Sequence, residues 1–593
     1  MKYIDQHLIR VSFGQAPADV IIKGGNLINV FSAQIYPADV AIANGRIAAV
    51  GDVGYAAGEN TEIIDARGKY LAPGLIDAHL HAEVPKVTLT RLANAVVARG
   101  TTSIMTPFDQ IGVVNGIDGI RWVLDEAKNT PLKIFHSGAS RLPYTTPAST
   151  IAYRFGPAEH AIAQQWEEAV GIWEYMSDSI VDFDGPVFEV ADMAIRNRLT
   201  LHGHAPVTVG KILSGHVAAG MHDDHESYTA EELAEKLRQG VRALIRRGTH
   251  SDNVPPLVRA ITELRLPTRH MSLCTDDLDC TDITELGLID HLVRYVIKLG
   301  VDPLTAIQMG SLNTAETYRV DHLVGSIAPG RIADILLIDD LPNLNIAAVI
   351  ANGKLVARDR RMLTPVASPT YPANFYNTMH LDKPIAAEDL YITVDDAQAT
   401  QARVLAIHLE PEEGLLSQGR EVTLNIADGR ILPDPAQDVL YISVTDRHSG
   451  KGLTGKAFIS GFGLKEGAIA TSTSPDDDNI ITIGASVEDM AVAINHLVNI
   501  GGGQVAVNKG AIMADIPLPV SGLMADISAE DMAQQEGTLN RAAYALGTKL
   551  KRPFFFIIFL SITAIPEYAV TDRGLVAHAT RTVINPVLEV QRA

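Results

Sequence analysis

The segment APGLIDAHLHAE contains two histidines, His79 and His81, that could share a metal ion. They follow an apolar run that ends a predicted strand. In a strand, residues i and i+2 face the same way, so both imidazoles can reach one cation. Such a pair is common by chance among 19 histidines and carries little alone. Asp77 beside it is placed to orient an imidazole through a hydrogen bond. A second segment, TLHGHAPVTVGKILSGHVAAGMHDDHES, brings together His202, His204, His216, His222 and His225. His204, before Ala-Pro, and His225, between Asp224 and Glu226, both read as strand ends. His202 would point the same way as His204 and is its open rival. His216 falls in a helical stretch and reads as packing or surface. In LCTDD, Asp276 follows a buried strand, where a carboxylate can ligate a metal and accept a proton from bound water. Asp before a helix is also a frequent N-cap, a reading that suits Asp277 or Asp279.

The chemistry open to such a set is hydrolysis. Water, with a pKa of about 15.7, is a poor nucleophile at neutral pH, and a metal can lower that value to roughly 7. Histidine and carboxylate ligands suit Zn, Fe or Mn.

Side chains spread over some two hundred residues need a scaffold that gathers strand ends. Residues 71–325 supply a candidate, because apolar strands alternate there with helical stretches. TTSIMTP, LKIFHSG and HMSLCTDD read as strands. GIDGIRWVLDEAKNT, TAEELAEKLRQGVRALIRRG (ending at Gly248) and DITELGLIDHLVRYVIKLG read as helices. Repeated strand–helix units over about 250 residues match a TIM-type (β/α)8 barrel, which carries its active site at the strand C-terminal ends. A doubly wound open sheet is the structural alternative. Residues 1–70 read as short strands with a hairpin at Asn44-Gly45, and residues 326–383 return to strands with a second hairpin dipeptide at Asn352-Gly353 before a Pro-rich linker. The two segments are expected to pair into one composite β-domain. Residues 384–593 read as an α+β domain, with strands such as DLYITV and NIITIG and the helix SVEDMAVAINHLVNIGGG. The apolar run from Phe554 to Ile565 is too short to cross a bilayer and reads as a buried strand.

The formal net charge of −21 argues against nucleic acid or an anionic membrane as the main partner. Two cysteines are too few for a disulfide framework and suit a reducing compartment. The opening residues lack the apolar core of a signal peptide. A cytoplasmic enzyme is expected.

Taken in order, HxH, an acid, His, His and Asp at successive strand ends form the pattern of the amidohydrolase superfamily. DAHLHAE, GIWEYM, GHAP, DHES, LCTDD and IAPGRIADILLIDD resemble the adenine deaminase family, as do SGFGLKEGAIATS, IPLPVSGLM and FLSITAIP near the C-terminus. The resemblance covers nearly the whole chain. It implies a binuclear metal site, with His79 and His81 on one metal, Glu174 as bridge, His204 and His225 on the second, and Asp276 as ligand and general base. Glu226 would assist proton transfer. Outside the resemblance, Glu174 reads as a helix-surface carboxylate. Iron or manganese, a purine substrate and a homodimer are implied in the same way. The implied reaction is hydrolytic deamination of adenine by hydroxide attack at C6, giving hypoxanthine and ammonia. The chain departs from the family where DPHE becomes TPFDQ, placing Thr106 and Phe108 at the Asp and His positions. SHDSHN becomes SPDDDN, with Pro475 and Asp478 replacing histidines, and Val84 and Pro85 replace two serines. These changes favour as alternatives another aminopurine or cyclic amidine or amide; a non-catalytic binding protein is the third possibility.

Overall fold

The computed structural model describes residues 4–410, 417–564 and 567–592. Eight parallel strands form its centre: β1 (Leu75–Asp77), β2 (Thr101–Thr106), β3 (Lys133–Ala139), β4 (Ala169–Met176), β5 (Thr200–His204), β6 (Asp223–Asp224), β7 (Arg242–Arg246) and β8 (Met271–Cys274). Their spatial order equals their sequence order, with no reversal of the kind a doubly wound sheet requires. The ends approach closure: Ala78 N–H donates to Leu273 O, and Asp276 N–H donates to His79 O. The fold is therefore a TIM-type barrel. Its interior is filled by Ile76, Ala78, Met105, Phe135, Trp173, Leu244 and Cys274, a packed core rather than a pore.

The strand-rich flanks do join. Tyr70–Pro73 runs antiparallel to Ile335–Asp340 within one nine-stranded sheet, with Leu336 opposite Ala72. Both Asn-Gly hairpins have positive φ at each central residue: +51° and +72° at Asn44-Gly45, +50° and +75° at Asn352-Gly353. That is the backbone of a type I′ turn. The two turns also touch, since a Cβ added at Gly45 would meet Asn352 O at 2.9 Å. Glycine is needed there for space as well as for conformation.

Four local expectations give way to tertiary context. The helix drawn through TAEELAEKLRQGVRALIRRG stops at Arg238, and Arg242–Arg246 is β7. Gly240, at φ +90°, ends the helix, and the remaining Val-Arg-Ala-Leu-Ile run is short enough to be a barrel strand. DLYITV contains only an isolated bridge from Thr393 to Arg430. The Phe554 run begins as a one-and-a-half-turn helix, Pro553–Ile557, rather than a strand; Ile565 and Pro566 at its end lie outside the described residues. Proline at the first helical position favours that start. GIWEYM is strand, so Glu174 is not on a helix surface. The Pro-rich linker is packed as well: the Tyr371 ring lies tilted against Trp122 with centroids 4.2 Å apart, and its hydroxyl donates to Glu126 Oε2 at 2.6 Å.

The C-terminal domain is built on a ten-stranded sheet with helices Val487–Asn499 and Ala529–Ala545. It sits over the C-terminal ends of the barrel strands. Arg552 donates to Asp279 and Asp282 of the barrel, Lys86 pairs with Glu536 at 2.8 Å, and Ser521 donates to Asn115 at 2.6 Å. Among the described residues, no helix is long and apolar enough to cross a membrane.

Candidate metal centre

Five of the eight strand ends at the barrel mouth deliver one or two donors each. His79 and His81 follow β1, Glu174 lies in β4, His204 ends β5, His225 follows β6 and Asp276 follows β8. All six are buried. His79 Nε2 lies 3.2 Å from Glu174 Oε1 and 3.6 Å from Asp276 Oδ1, and His81 Nε2 lies 3.5 Å from the same Asp276 oxygen. His204 Nδ1 is 2.7 Å from Glu174 Oε2, and His225 Nε2 is 3.7 Å from Oε1, the oxygen that His79 also approaches. Two donor sets, His79–His81–Glu174 and Glu174–His204–His225, each have ligand atoms within 4.8 Å of one another. Glu174 belongs to both. A further grouping of His79, His225 and Asp276 closes the space between them.

Glu174 reaches this position through a β-bulge. Leu201 pairs with Ile172 but Gly203 pairs with Tyr175, so two residues of β4 oppose one of β5. Glu174 has φ +49° there. Simple alternation would place Trp173 and Glu174 on opposite faces. The bulge turns both toward the barrel axis, while Tyr175 packs in the outer layer. Asp276 is also in the left-handed region, at φ +60°. Such conformations in non-glycine residues cost energy and gather at functional sites.

The donor set fits a divalent cation. Both ring nitrogens of His79 and of His204, His81 Nδ1 and Glu174 Oε2 are buried and, close as His204 Nδ1 and Glu174 Oε2 come, form no aligned hydrogen bond among the described residues. Nitrogen and carboxylate oxygens of this kind are the ligands of Zn, Fe and Mn sites. Burial and the neighbouring His225 hold His79 neutral, with its pKa lowered to about 3, the form that ligates. Burial would raise Glu174, but His204 and His225 outweigh it and hold the carboxyl well below its ordinary range. Asp276 is likewise lowered against its burial, first by Arg246 and then by the surrounding imidazoles.

Arg246 is a member of the site that the sequence pattern did not single out. Its guanidinium grips both oxygens of Glu226 and donates to Asp276 Oδ2 at 2.7 Å. Leu244 faces the barrel interior and Ile245 the surrounding layer, so alternation in β7 brings Arg246 inward, a pattern masked by the helix-like spacing of the segment. Glu226 Oε1 is 3.4 Å from His225 Nε2.

Other histidines have structural roles. His202 points into the barrel but one layer deeper; its Nδ1 is 2.6 Å from Asp223 Oδ2, its Nε2 is 2.8 Å from Thr200 Oγ1, and its ring stacks on Tyr318. Fully bonded, it is no rival to His204. His216 is buried between Ile212 O and Ser177 Oγ. Asp77 does not orient an imidazole; it accepts from His79 N–H and from Thr275 N–H and Oγ1, which ties β1 to β8. Asp279 caps the helix Cys280–Glu285 by accepting from Asp282 N–H. Asp277 instead lines the cavity, where burial and Asp276 push its pKa up to about 8.

The cavity over the donors is closed by the C-terminal domain, whose Pro475, Asp476, Phe555, Phe559 and Ile562 line it together with Asp109, Tyr144 and Glu226. Of the divergent positions, Phe108 is buried at φ +52° at the start of the helix Asp109–Ala127. The next residue, Asp109, approaches His81 Nδ1 at 3.5 Å.

Residues 70–356 match the amidohydrolase family, and residues 415–582 match the adenine deaminase C-terminal domain. Adenine deaminase 4 of Rhizobium meliloti is 44% identical over 589 residues, covering 99% of this chain and 98% of that protein. Adenine deaminase 1 of Desulfotalea psychrophila is 43% identical, covering 98% of each. Adenine deaminase 1 of Latilactobacillus sakei is 40% identical, covering 99% of this chain and 98% of the relative. With likeness at this level across barrel, flanking sheet and C-terminal domain, the chain belongs to the adenine deaminase family of the amidohydrolase superfamily.

Proposed function

We propose that the chain converts adenine and water to hypoxanthine and ammonia at the buried His–Glu–Asp centre. The observation that carries this reading is the sharing of Glu174 between two donor sets, His79–His81–Glu174 and Glu174–His204–His225. His79 and His81 would hold one divalent cation, His204 and His225 the other, and Glu174 would bridge them, with Asp276 completing the set. Iron or manganese suits this mixture, and zinc is compatible with it. A bound pair of cations would supply a water nucleophile at neutral pH, by lowering its pKa to roughly 7.

The protein's own groups do the rest. Asp276, kept ionised by Arg246, takes a proton from the attacking water and delivers it to the departing amine. As water oxygen bonds to C6, the C6–N1 double-bond pair moves to N1, which takes a proton, and C6 becomes tetrahedral; C6=O then forms as the bond to the exocyclic nitrogen breaks, so that one water proton ends on N1 and the other on the ammonia that leaves. Glu226, beside His225 on the cavity wall, faces the ring nitrogen next to C6 and assists its change of protonation. Arg246 neutralises both carboxylates and fixes their spacing. The C-terminal domain closes the mouth and keeps bulk water out.

A second reading, another aminopurine or cyclic amidine, is favoured by Pro475 alone, since it replaces a histidine and lines the cavity. The reading extends to a homo-oligomeric cytoplasmic enzyme, in keeping with two buried free cysteines, Cys274 and Cys280. A panel of purine bases assayed for ammonia release with Mn(II) or Fe(II) added tests the substrate. Adenine as the best substrate is the expected result; a guanine or other aminopurine preference would favour the second reading.

A further inference from the structure

Apart from the metal donors and Arg246, two buried polar side chains in the cavity wall have a polar atom with no hydrogen-bond partner among the described residues. Asp476, from the C-terminal domain, is 7% exposed, and its Oδ2 has no hydrogen-bond partner. Tyr144, from the loop after β3, is 3% exposed, and its hydroxyl has none either. Both line the cavity that holds His81, Glu174, His204 and Asp276. The loop around Asp476 is otherwise well tied: Asp478 N–H donates to Ser474 O at 2.7 Å, and Asp477 Oδ1 accepts from Asn479 N–H at 3.1 Å. A buried polar group without a partner is costly, and one aimed into a cavity is satisfied by what binds there.

We propose that Asp476 and Tyr144 recognise the edge of the purine remote from the reacting carbon. This rests on the adenine reading above. Asp476 accepts the ring N9–H, and the Tyr144 hydroxyl donates to the adjacent N3. C6 stands across the six-membered ring from N3, so a base held by its N3–N9 edge directs C6 at the metal ligands. Phe555 and Phe559 supply apolar cavity wall beside it. The arrangement selects free bases: a nucleoside has no N9–H to give Asp476 and carries a sugar where that carboxyl stands. The C-terminal domain thereby contributes a substrate-binding group in addition to closing the mouth.

The test is kcat/KM on adenine, 9-methyladenine and 3-deazaadenine for the metal-loaded full chain. Asp476→Ala is expected to lose about ten- to hundredfold on adenine, with 9-methyladenine unchanged or improved. Asp476→Asn, which keeps an acceptor oxygen, restores most of the preference. Tyr144→Phe loses on adenine but not on 3-deazaadenine, which lacks the N3 acceptor. A merely structural defect lowers all three substrates together. An active enzyme whose adenine to 9-methyladenine ratio is the same in wild type and Asp476→Ala overturns this inference alone. A chain inactive on adenine with every metal overturns the activity reading and this one with it.

Discussion

Arg246 donates to Asp276 Oδ2 at 2.7 Å while holding Glu226 with the same guanidinium. The side chain is 5% exposed, so the contact is made away from water. Removing one partner of a buried charge pair strands the others. Arg246→Met leaves Asp276 and Glu226 close together without a counter-charge, and is expected to destabilise the fold by about 3–5 kcal/mol. Thermal melting of the purified variant checks the magnitude. A melt unchanged from wild type would mean that the pair is compensated elsewhere.

Asp276→Asn keeps the shape and the Arg246 contact but cannot take a proton. We expect turnover to fall by about 10²–10⁴-fold with the melting temperature little changed. Near-normal kcat in a folded variant would remove Asp276 as the base.

Glu174 is the one residue common to both donor sets, His79–His81–Glu174 and Glu174–His204–His225. Elemental analysis of the wild-type chain is expected to give about two metals per chain, the number of a bridged site. Glu174→Ala should retain fewer and lose activity. One metal per chain with full activity would reduce Glu174 from bridge to neighbour.

His160 offers a pH test outside the centre. Its Nε2 lies 2.8 Å from Ala139 O, and burial lowers its pKa to about 4. In the unfolded chain the imidazole protonates near its ordinary value of 6.5. The folded state therefore binds fewer protons between those values, and stability is lost as pH falls from 6.5 toward 4. His160→Gln keeps a donor for Ala139 O without the titration. Its stability against pH, followed by denaturant melts, is expected to fall less steeply than wild type over that window. Parallel curves would contradict the assignment.

Much of this was legible in the sequence because it depends on local pattern. HxH after an apolar run, a histidine before Ala-Pro and an aspartate after LCT mark strand ends by composition alone, and the two Asn-Gly dipeptides mark hairpins. The placing of Glu174 is different. It depends on a bulge between β4 and β5, a property of pairing rather than of either segment, and only family resemblance pointed to it. Arg246 was hidden because a nine-residue helix and a five-residue strand, separated by a short turn at Gly240, share a continuous apolar rhythm. His202 and His204 share a face, as the spacing implies, but sit at different depths in the barrel, and depth is set by the stagger of neighbouring strands. Tyr144 and Asp476 lie more than three hundred residues apart and meet only when the C-terminal domain docks.

If the six donors hold metal for adenine deamination, activity must follow metal content. The direct measurement is ammonia release from adenine by the chain stripped with a chelator and then titrated with Mn(II) or Fe(II). No release is expected from the stripped protein, with activity rising to saturation at about two equivalents of metal. Full activity in the stripped protein, or none at any metal loading, would contradict that dependence.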